Sequence, residues 1–234
     1  MINARAKDII LGTLPPALLQ HVLPRVAAGK SPFLPSICAR EAIFIHVPKA
    51  AGSSIKVEVY GSAKAAGGHR RIAEYAAYDM KRTAAFFKFA FVRNPWDRLL
   101  SAYSYLSQGT GTTFRDNQFA RQFLADTGDF DGFVRKLEDP RACRQILYYD
   151  HFRPQSHWIC MPGARTHAMD FLGRFETMED DMARLRARLG LEAGAPVKAR
   201  PSQHLPYREA YSARARQTVA ELYARDVALL DYSF

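Results

Sequence analysis

Seven consecutive residues, Pro48-Lys49-Ala50-Ala51-Gly52-Ser53-Ser54, combine what is needed to grip an anion. The glycine permits close approach of backbone N–H groups, the two hydroxyls add donors, and the lysine brings a point charge. The stretch is not a Walker A loop, because GxxxxGK[ST] is absent and the lysine precedes the glycine. A second pair suited to one anion is Arg93 and, eight residues later, Ser101. Seven histidines compete for proton transfer near neutral pH. Of these, His69 lies in Gly67-Gly68-His69-Arg70-Arg71, between the two anion-binding candidates. His46 falls within an apolar run and reads as a core residue. His151, His157 and Cys160 have the chemistry of metal ligands but match no ligand spacing, so no metal is expected. Glu176 is a second candidate base, with an ion pair to Arg174 as its plainer explanation.

Such loops need strands to deliver them. Ala42–Val47 is a short apolar, β-branched run, and Phe86–Val92 is another; both have the length and composition of buried strands. Each runs directly into a candidate loop and then a helix. Ile55–Tyr60 reads as helical. After the second strand, Asn94 is a good N-cap, Pro95 suits the first helical position, and Leu99, Tyr103 and Leu106 share one face. Two strand-loop-helix units about 45 residues apart imply a parallel sheet with crossover helices. Ligands of open parallel sheets sit beyond the C-terminal strand ends, so both junctions are expected to line one crevice. A third strand is expected over Met169–Phe175, a helix over Met178–Leu189 ending at Gly190, a loop over 192–206 and a last helix over Ser212–Leu230.

The 234 residues are 48% hydrophobic and 24% charged, which excludes a disordered or fibrous chain. Net charge is +10, carried by 24 arginines against 9 lysines. The planar guanidinium suits phosphate, sulfate and carboxylate, so the surplus points to a polyanionic partner: nucleotide, nucleic acid, acidic polysaccharide or membrane surface. An Arg-rich codon bias accounts for the same surplus equally well. No apolar run approaches the roughly 18 residues of a membrane span, and Asp8, Pro15, Pro16 and Pro24 break the pattern of a signal peptide. A soluble, cytoplasmic protein is expected. Residues 1–40 read as a helical, proline-interrupted arm that either packs on the body or lies peripherally on the inner membrane, and 41–234 as one domain. Cys38, Cys143 and Cys160 are odd in number and fit isolated thiols in a reducing compartment.

HVPKAAGSS followed by FVRNPWDRLLSAY resembles the paired donor-binding motifs of the carbohydrate sulfotransferases of the family-2 type found in many bacteria. Further likeness lies in DFLGRFETMEDDM at 170–182 and in the ending YARDVALLDYSF, so the resemblance spans roughly residues 41–234. It implies an α/β, P-loop-like three-layer sandwich with a central parallel sheet flanked by helices. It also implies that Pro48, Lys49, Ala50, Ala51, Gly52, Ser53 and Ser54 hold the 5′-phosphosulfate of 3′-phosphoadenosine 5′-phosphosulfate (PAPS). Arg93 and Ser101 would hold its 3′-phosphate. The family loop usually reads Thr-Gly-Gly-Thr-Ser-like, so one glycine and one hydroxyl are missing at Ala50 and Ala51.

On that reading, charge grows on the oxygen bridging to the departing 5′-phosphate, and Lys49 is the cation expected to stabilise it. The transferred group carries less charge than a phosphoryl group, so Lys and Arg suffice without a metal. His69, where the resemblance also puts a histidine base, is expected to take the acceptor proton. Gln155 and His157 are candidate acceptor contacts, and Arg208 either covers the nucleotide or is solvated. The expected partner is a carbohydrate, and the arginine surplus would suit an acidic one. Two rivals predict other features. A Mg²⁺-dependent kinase needs an acidic metal ligand at a strand end, where only Asp170, at the wrong end, is available. A nucleic-acid-binding module needs exposed aromatics among its arginines, whereas Phe and Tyr here fall mostly at core positions.

Overall fold

A computed structural model describes residues 31–64, 66, 68–108, 113–192 and 206–234. Most of the expected arm (1–30) and most of the expected loop at 192–206 lie outside the described residues. What is described of the arm packs: Phe33 and Ile37 are buried, and Pro35–Arg40 forms a helix (α1) against the first strand.

Three strands, β1 (Ala42–Ile45), β2 (Phe87–Val92) and β3 (Phe171–Arg174), form a parallel sheet in the order β1-β2-β3. Ala42 pairs with Phe87 and Ile45 with Ala90; Phe89 pairs with Phe171 and Val92 with Arg174. Every residue of β1 is buried, as expected of a strand covered on both faces. β1 stops two residues short of the expected Val47, whose N–H turns back to the Ile45 carbonyl at 3.1 Å. Gly173 lets the β2 and β3 side chains close up, since a Cβ there would overlap the Phe91 ring. Between β1 and β2 the chain makes α2 (Gly52–Tyr60), α3 (Ile72–Tyr78) and α4 (Met80–Ala85). α9 (Ser156–Ile159) precedes β3, and α10 (Met178–Leu189) follows it and ends at Gly190, where φ is 61°. Phe44, Phe89 and Phe91 of the sheet meet Ile55 and Val59 of α2 and Met178, Met182 and Leu185 of α10 in one core.

These elements make one compact unit, the described residues up to Val92 and from Gln155 to 192. A second unit, Arg93–Pro154 with 206–234, is wholly helical among its described residues. It contains α5 (Pro95–Ser107), α6 (Phe114–Phe123), α7 (Phe130–Lys136), α8 (Pro140–Leu147), α11 (Tyr207–Ala210), α12 (Ala213–Leu222) and α13 (Ala224–Leu230). Its core is aromatic: Trp96, Phe119, Phe133, Phe152 and Tyr223 with Leu99, Leu106 and Val219. The described residues of 41–234 thus divide into two compact units, and the chain passes from one to the other where it leaves β2. The expected single helix over 212–230 is two helices. It breaks at Tyr223, whose backbone (φ −109°, ψ 23°) leaves the helix while its hydroxyl donates to the Phe152 carbonyl at 2.6 Å.

Candidate functional site

The anion cradle forms where β1 gives way to α2. Lys49 (φ 70°) and Ala51 (φ 58°) both adopt the left-handed conformation, and this double reversal brings the chain from the buried Pro48 into α2 at Gly52. Ser54 and Ile55 donate their N–H groups to the Ala51 carbonyl at 3.0 and 3.3 Å. The N–H groups of Ala51, Gly52 and Ser53 meet no acceptor among the described residues. Three such donors at the positive end of a nine-residue helix are an anion site in form. Ala50 is buried, Ser53 is exposed, and Lys49 and Ser54 are half-buried at its rim.

Gly52 is required by its neighbour: a Cβ would overlap the imidazole of His46. That ring stacks on Phe44 at 5.7 Å and lies 4.2 Å, centroid to centroid, from the ring of His69. Nδ1 of His69 lies 3.1 Å from the His46 carbonyl oxygen. A carbonyl only accepts, so Nδ1 carries a proton; in the neutral ring that leaves the lone pair on Nε2, the tautomer a base requires. Trp158 flanks His69 at 6.0 Å, and His157 stands edge-on to Trp158 at 5.5 Å. The buried Arg71 donates from Nη1 to Nε2 of His157 at 3.3 Å. The first unit therefore sets His46 between Gly52 of the cradle and His69, with Trp158 beside His69 and His157 beside Trp158. Gln155 belongs elsewhere: it is 0% exposed and its carbonyl starts α9, so as placed it presents no surface to an acceptor. Glu176 is exposed just after β3. Lys56 was not singled out from sequence; it is buried on the Gly52 face of α2, and burial lowers its pKa.

In the second unit, Asn94 caps α5 by accepting from the Trp96 N–H at 3.1 Å. Arg93 is buried, and its Nε donates to Asp97 Oδ2 at 2.7 Å, which fixes the plane of the guanidinium. Arg93, Asp97 and the buried Ser101 follow at four-residue intervals and so share one side of α5 and its approach. The Asn94 amide donates to the Ser233 carbonyl at 2.8 Å and reaches the Tyr207 hydroxyl at 3.4 Å. Arg208 is exposed, its guanidinium 5.3 Å over Tyr207 and 5.5 Å over Phe234, which joins it to the same neighbourhood as Asn94.

Two buried polar clusters escaped the sequence reading. Arg98, 1% exposed, donates from Nη2 to the carbonyls of Arg153 at 2.7 Å and His151 at 3.2 Å. Burial lowers its pKa, while Tyr223 and Asp226 favour its charge. Asp116 accepts from the Tyr149 hydroxyl and, at 2.8 Å, from Thr113, with His151 Nε2 at 3.4 Å. The hydrogen bond with His151 leads the set of contacts that hold its carboxyl well below the usual range, against the effect of burial. Among the described residues, no group of three or more His, Cys, Asp or Glu is arranged to hold a metal ion, no helix is long and apolar enough to cross a membrane, and none of the three cysteines is in a disulfide.

The chain is 32% identical to carbohydrate sulfotransferase 11 of Rattus norvegicus over 114 residues, covering 43% of this chain and 32% of that protein. It is 28% identical to carbohydrate sulfotransferase 12 of Xenopus laevis over 142 residues, covering 53% and 33%. With carbohydrate sulfotransferase 10 of Gallus gallus it shares 26% identity over 169 residues, 62% and 45% of the two chains. The matches thus span a third to under half of these relatives. No solved structure gives a significant match. The Sulfotransferase family model matches residues 40–233, from the foot of β1 through the cradle, His69, Arg93 and Ser101 to the penultimate residue; the chain belongs to the sulfotransferase family.

Proposed function

We propose that the protein transfers the sulfuryl group of PAPS to a hydroxyl of a carbohydrate acceptor. The observation that carries this reading is the cradle itself. Three backbone donors with no acceptor among the described residues stand at the start of α2, Lys49 lies in the same turn, and His69, its Nδ1 against the His46 carbonyl, is one imidazole away. The donor set suits a phosphosulfate, since amide N–H groups at a helix start favour anionic oxygens.

The donor supplies an activated sulfuryl group whose leaving oxygen gains charge as the bond breaks. Lys49 opposes that charge, and the fixed amides of Ala51, Gly52 and Ser53 do so without reorganising. His69 takes the acceptor hydroxyl proton at Nε2. His157, oriented by Arg71, contributes an acceptor contact. Arg93 and Ser101 carry the role the family resemblance gives them, contacts to a 3′-phosphate, and Arg208, over Tyr207 and Phe234, is a further candidate for the nucleotide. The carbohydrate acceptor agrees with the names of the relatives, and an anionic sugar would suit the arginine surplus. The kinase reading finds no support: Asp170, its only candidate metal ligand, is ion-paired with Lys88 at 2.8 Å at the start of β3.

The test is calorimetric titration with adenosine 3′,5′-bisphosphate in EDTA, beside ATP with Mg²⁺. Tight, metal-independent binding that Arg93→Ala abolishes is the expected result. Preference for ATP with Mg²⁺ would overturn the proposal.

A further inference from the structure

We infer that His46 is a positioning residue, its ring a spacer that sets the His69 imidazole at a fixed distance from the anion cradle. The role given to His69 rests on the sulfotransferase reading; the packing does not.

Read locally, His46 is the residue after a buried strand, and a histidine there needs only to be accommodated. Its contacts are more particular than that. One edge of the ring, Cδ2 and Nε2, lies so close to Gly52 that no side chain fits at 52. The ring also meets His69 at 4.2 Å with a 39° tilt, while Phe44 stacks on it at 5.7 Å and 18°, holding its plane. The His46 carbonyl is also the group that Nδ1 of His69 meets at 3.1 Å. Side chain and main chain of one residue thus act on His69 in sequence: the ring fixes its place, and that place keeps Nδ1 within reach of the carbonyl that sets its tautomer. The cradle glycine and the base candidate share a single wall. A shift of that wall moves both, and an ångström-scale misplacement of a catalytic group costs about 100-fold in rate.

A double-mutant cycle between positions 46 and 52, read by calorimetry with adenosine 3′,5′-bisphosphate, tests the spacer. Gly52→Ala drives a methyl into the His46 ring and is expected to weaken binding roughly tenfold or more, the equivalent of a modest overpacking cost. His46→Ala removes the ring that backs the turn but leaves the cradle amides, so it is expected to weaken binding by less than Gly52→Ala does. The His46→Ala/Gly52→Ala protein has room for the new methyl, and its binding returns to the level of His46→Ala alone. Additive losses across the cycle would overturn the spacer, because independent sites add to within about twofold. If Gly52→Ala does not fold, the double variant carries the test: it should fold and bind, and its failure refutes the packing.

The second readout is the ¹⁵N spectrum of the His69 ring, which needs neither nucleotide nor acceptor. The parent should show the Nδ1–H tautomer alone. His46→Ala should give a mixture of tautomers, and His46→Phe, which restores a flat ring, should recover the single form. An unchanged His69 spectrum in His46→Ala would show that the ring has no part in orienting the base. Should the parent bind no bisphosphate, the donor reading fails, while the His69 spectra still decide the positioning role.

Discussion

Replacing Arg98 with methionine is expected to destabilise the helical unit by about 3–5 kcal/mol, the cost of removing one partner from a buried charge network. The magnitude follows from what the side chain touches. Arg98 is 1% exposed, and one nitrogen, Nη2, serves two carbonyls, those of His151 and Arg153. Asp226, itself 0% exposed, favours the guanidinium charge that burial opposes. Methionine fills much of the same volume, so the loss is not chiefly a cavity. It is the loss of a donor for two carbonyls and of the cation for Asp226. For the chain as a whole a change of that size lowers Tm by on the order of 10 °C. The assay is urea unfolding followed by Trp96 fluorescence in a Trp158→Phe background, which confines the signal to this unit. Arg98→Lys should recover only part of the loss, because a point charge does not reproduce the fork. Arg98→Met/Asp226→Asn should lose less than the sum of the two single changes, since Asp226 favours the Arg98 charge. A loss below about 1 kcal/mol in Arg98→Met, the level of an ordinary surface change, would refute the claim that the network holds the unit together.

Lys49→Ala should remove sulfate transfer to a pool of oligosaccharides while weakening adenosine 3′,5′-bisphosphate binding only modestly; equal losses in both would make Lys49 a binding residue alone. His69→Ala should leave bisphosphate binding intact and cut transfer at least about 100-fold, the lower range of general-base catalysis, and unchanged turnover would remove His69 as the base. Ala51→Val puts a β-branched side chain at φ 58° and should cost about 1–3 kcal/mol in urea unfolding, an effect absent if the left-handed turn is not formed. Asp116 has its pKa held down in the folded state, chiefly by His151. Its contribution is therefore present above the unfolded carboxyl value near 4 and lost as pH falls below it. Asp116→Asn should cost about 2 kcal/mol at pH 7, the worth of a buried hydrogen bond to a charged group. The gap to the parent should close as pH drops below about 4; a gap independent of pH would contradict the assignment.

Both strand-loop-helix junctions are legible in the sequence because their signals are local. An apolar run of strand length, a proline at the first helical turn and a capping asparagine need no partner from elsewhere to be read. The end of β1 and the break at Tyr223 are not legible in the same way. In the first, the chain turns back on itself before the apolar run is exhausted. In the second, a tyrosine hydroxyl finds the Phe152 carbonyl, and no periodicity of apolar residues reports such a contact. Gln155, a candidate acceptor contact, is buried for a reason the sequence does not carry: the start of α9 takes it into the interior. Arg98 looks like any solvated arginine on an amphipathic helix until an aromatic core closes over it.

The cradle shows the same division between local and distant causes, and it bears on how the site works. Relative to the glycine-rich form of the family loop, this chain keeps one glycine and bends through two non-glycine residues, Lys49 and Ala51. Each left-handed residue costs on the order of 1 kcal/mol, so the turn must be held by what surrounds it. What surrounds it is rigid: the buried β1 strand and Pro48 on one side, and the His46 ring, itself stacked on Phe44, against Gly52 on the other. A glycine at every position would relax the turn at the cost of a looser loop. Alanine and lysine restrict it, so that on the proposed reading the amides of Ala51, Gly52 and Ser53 are set for an anion before one arrives. Pre-set donors contribute most when charge develops in the ligand, because none of their orientation has to be found during the reaction. The strain at Lys49 and Ala51 and the single glycine left at 52 are thus parts of one arrangement, in which the wall supplied by His46 takes the place of flexibility in the loop.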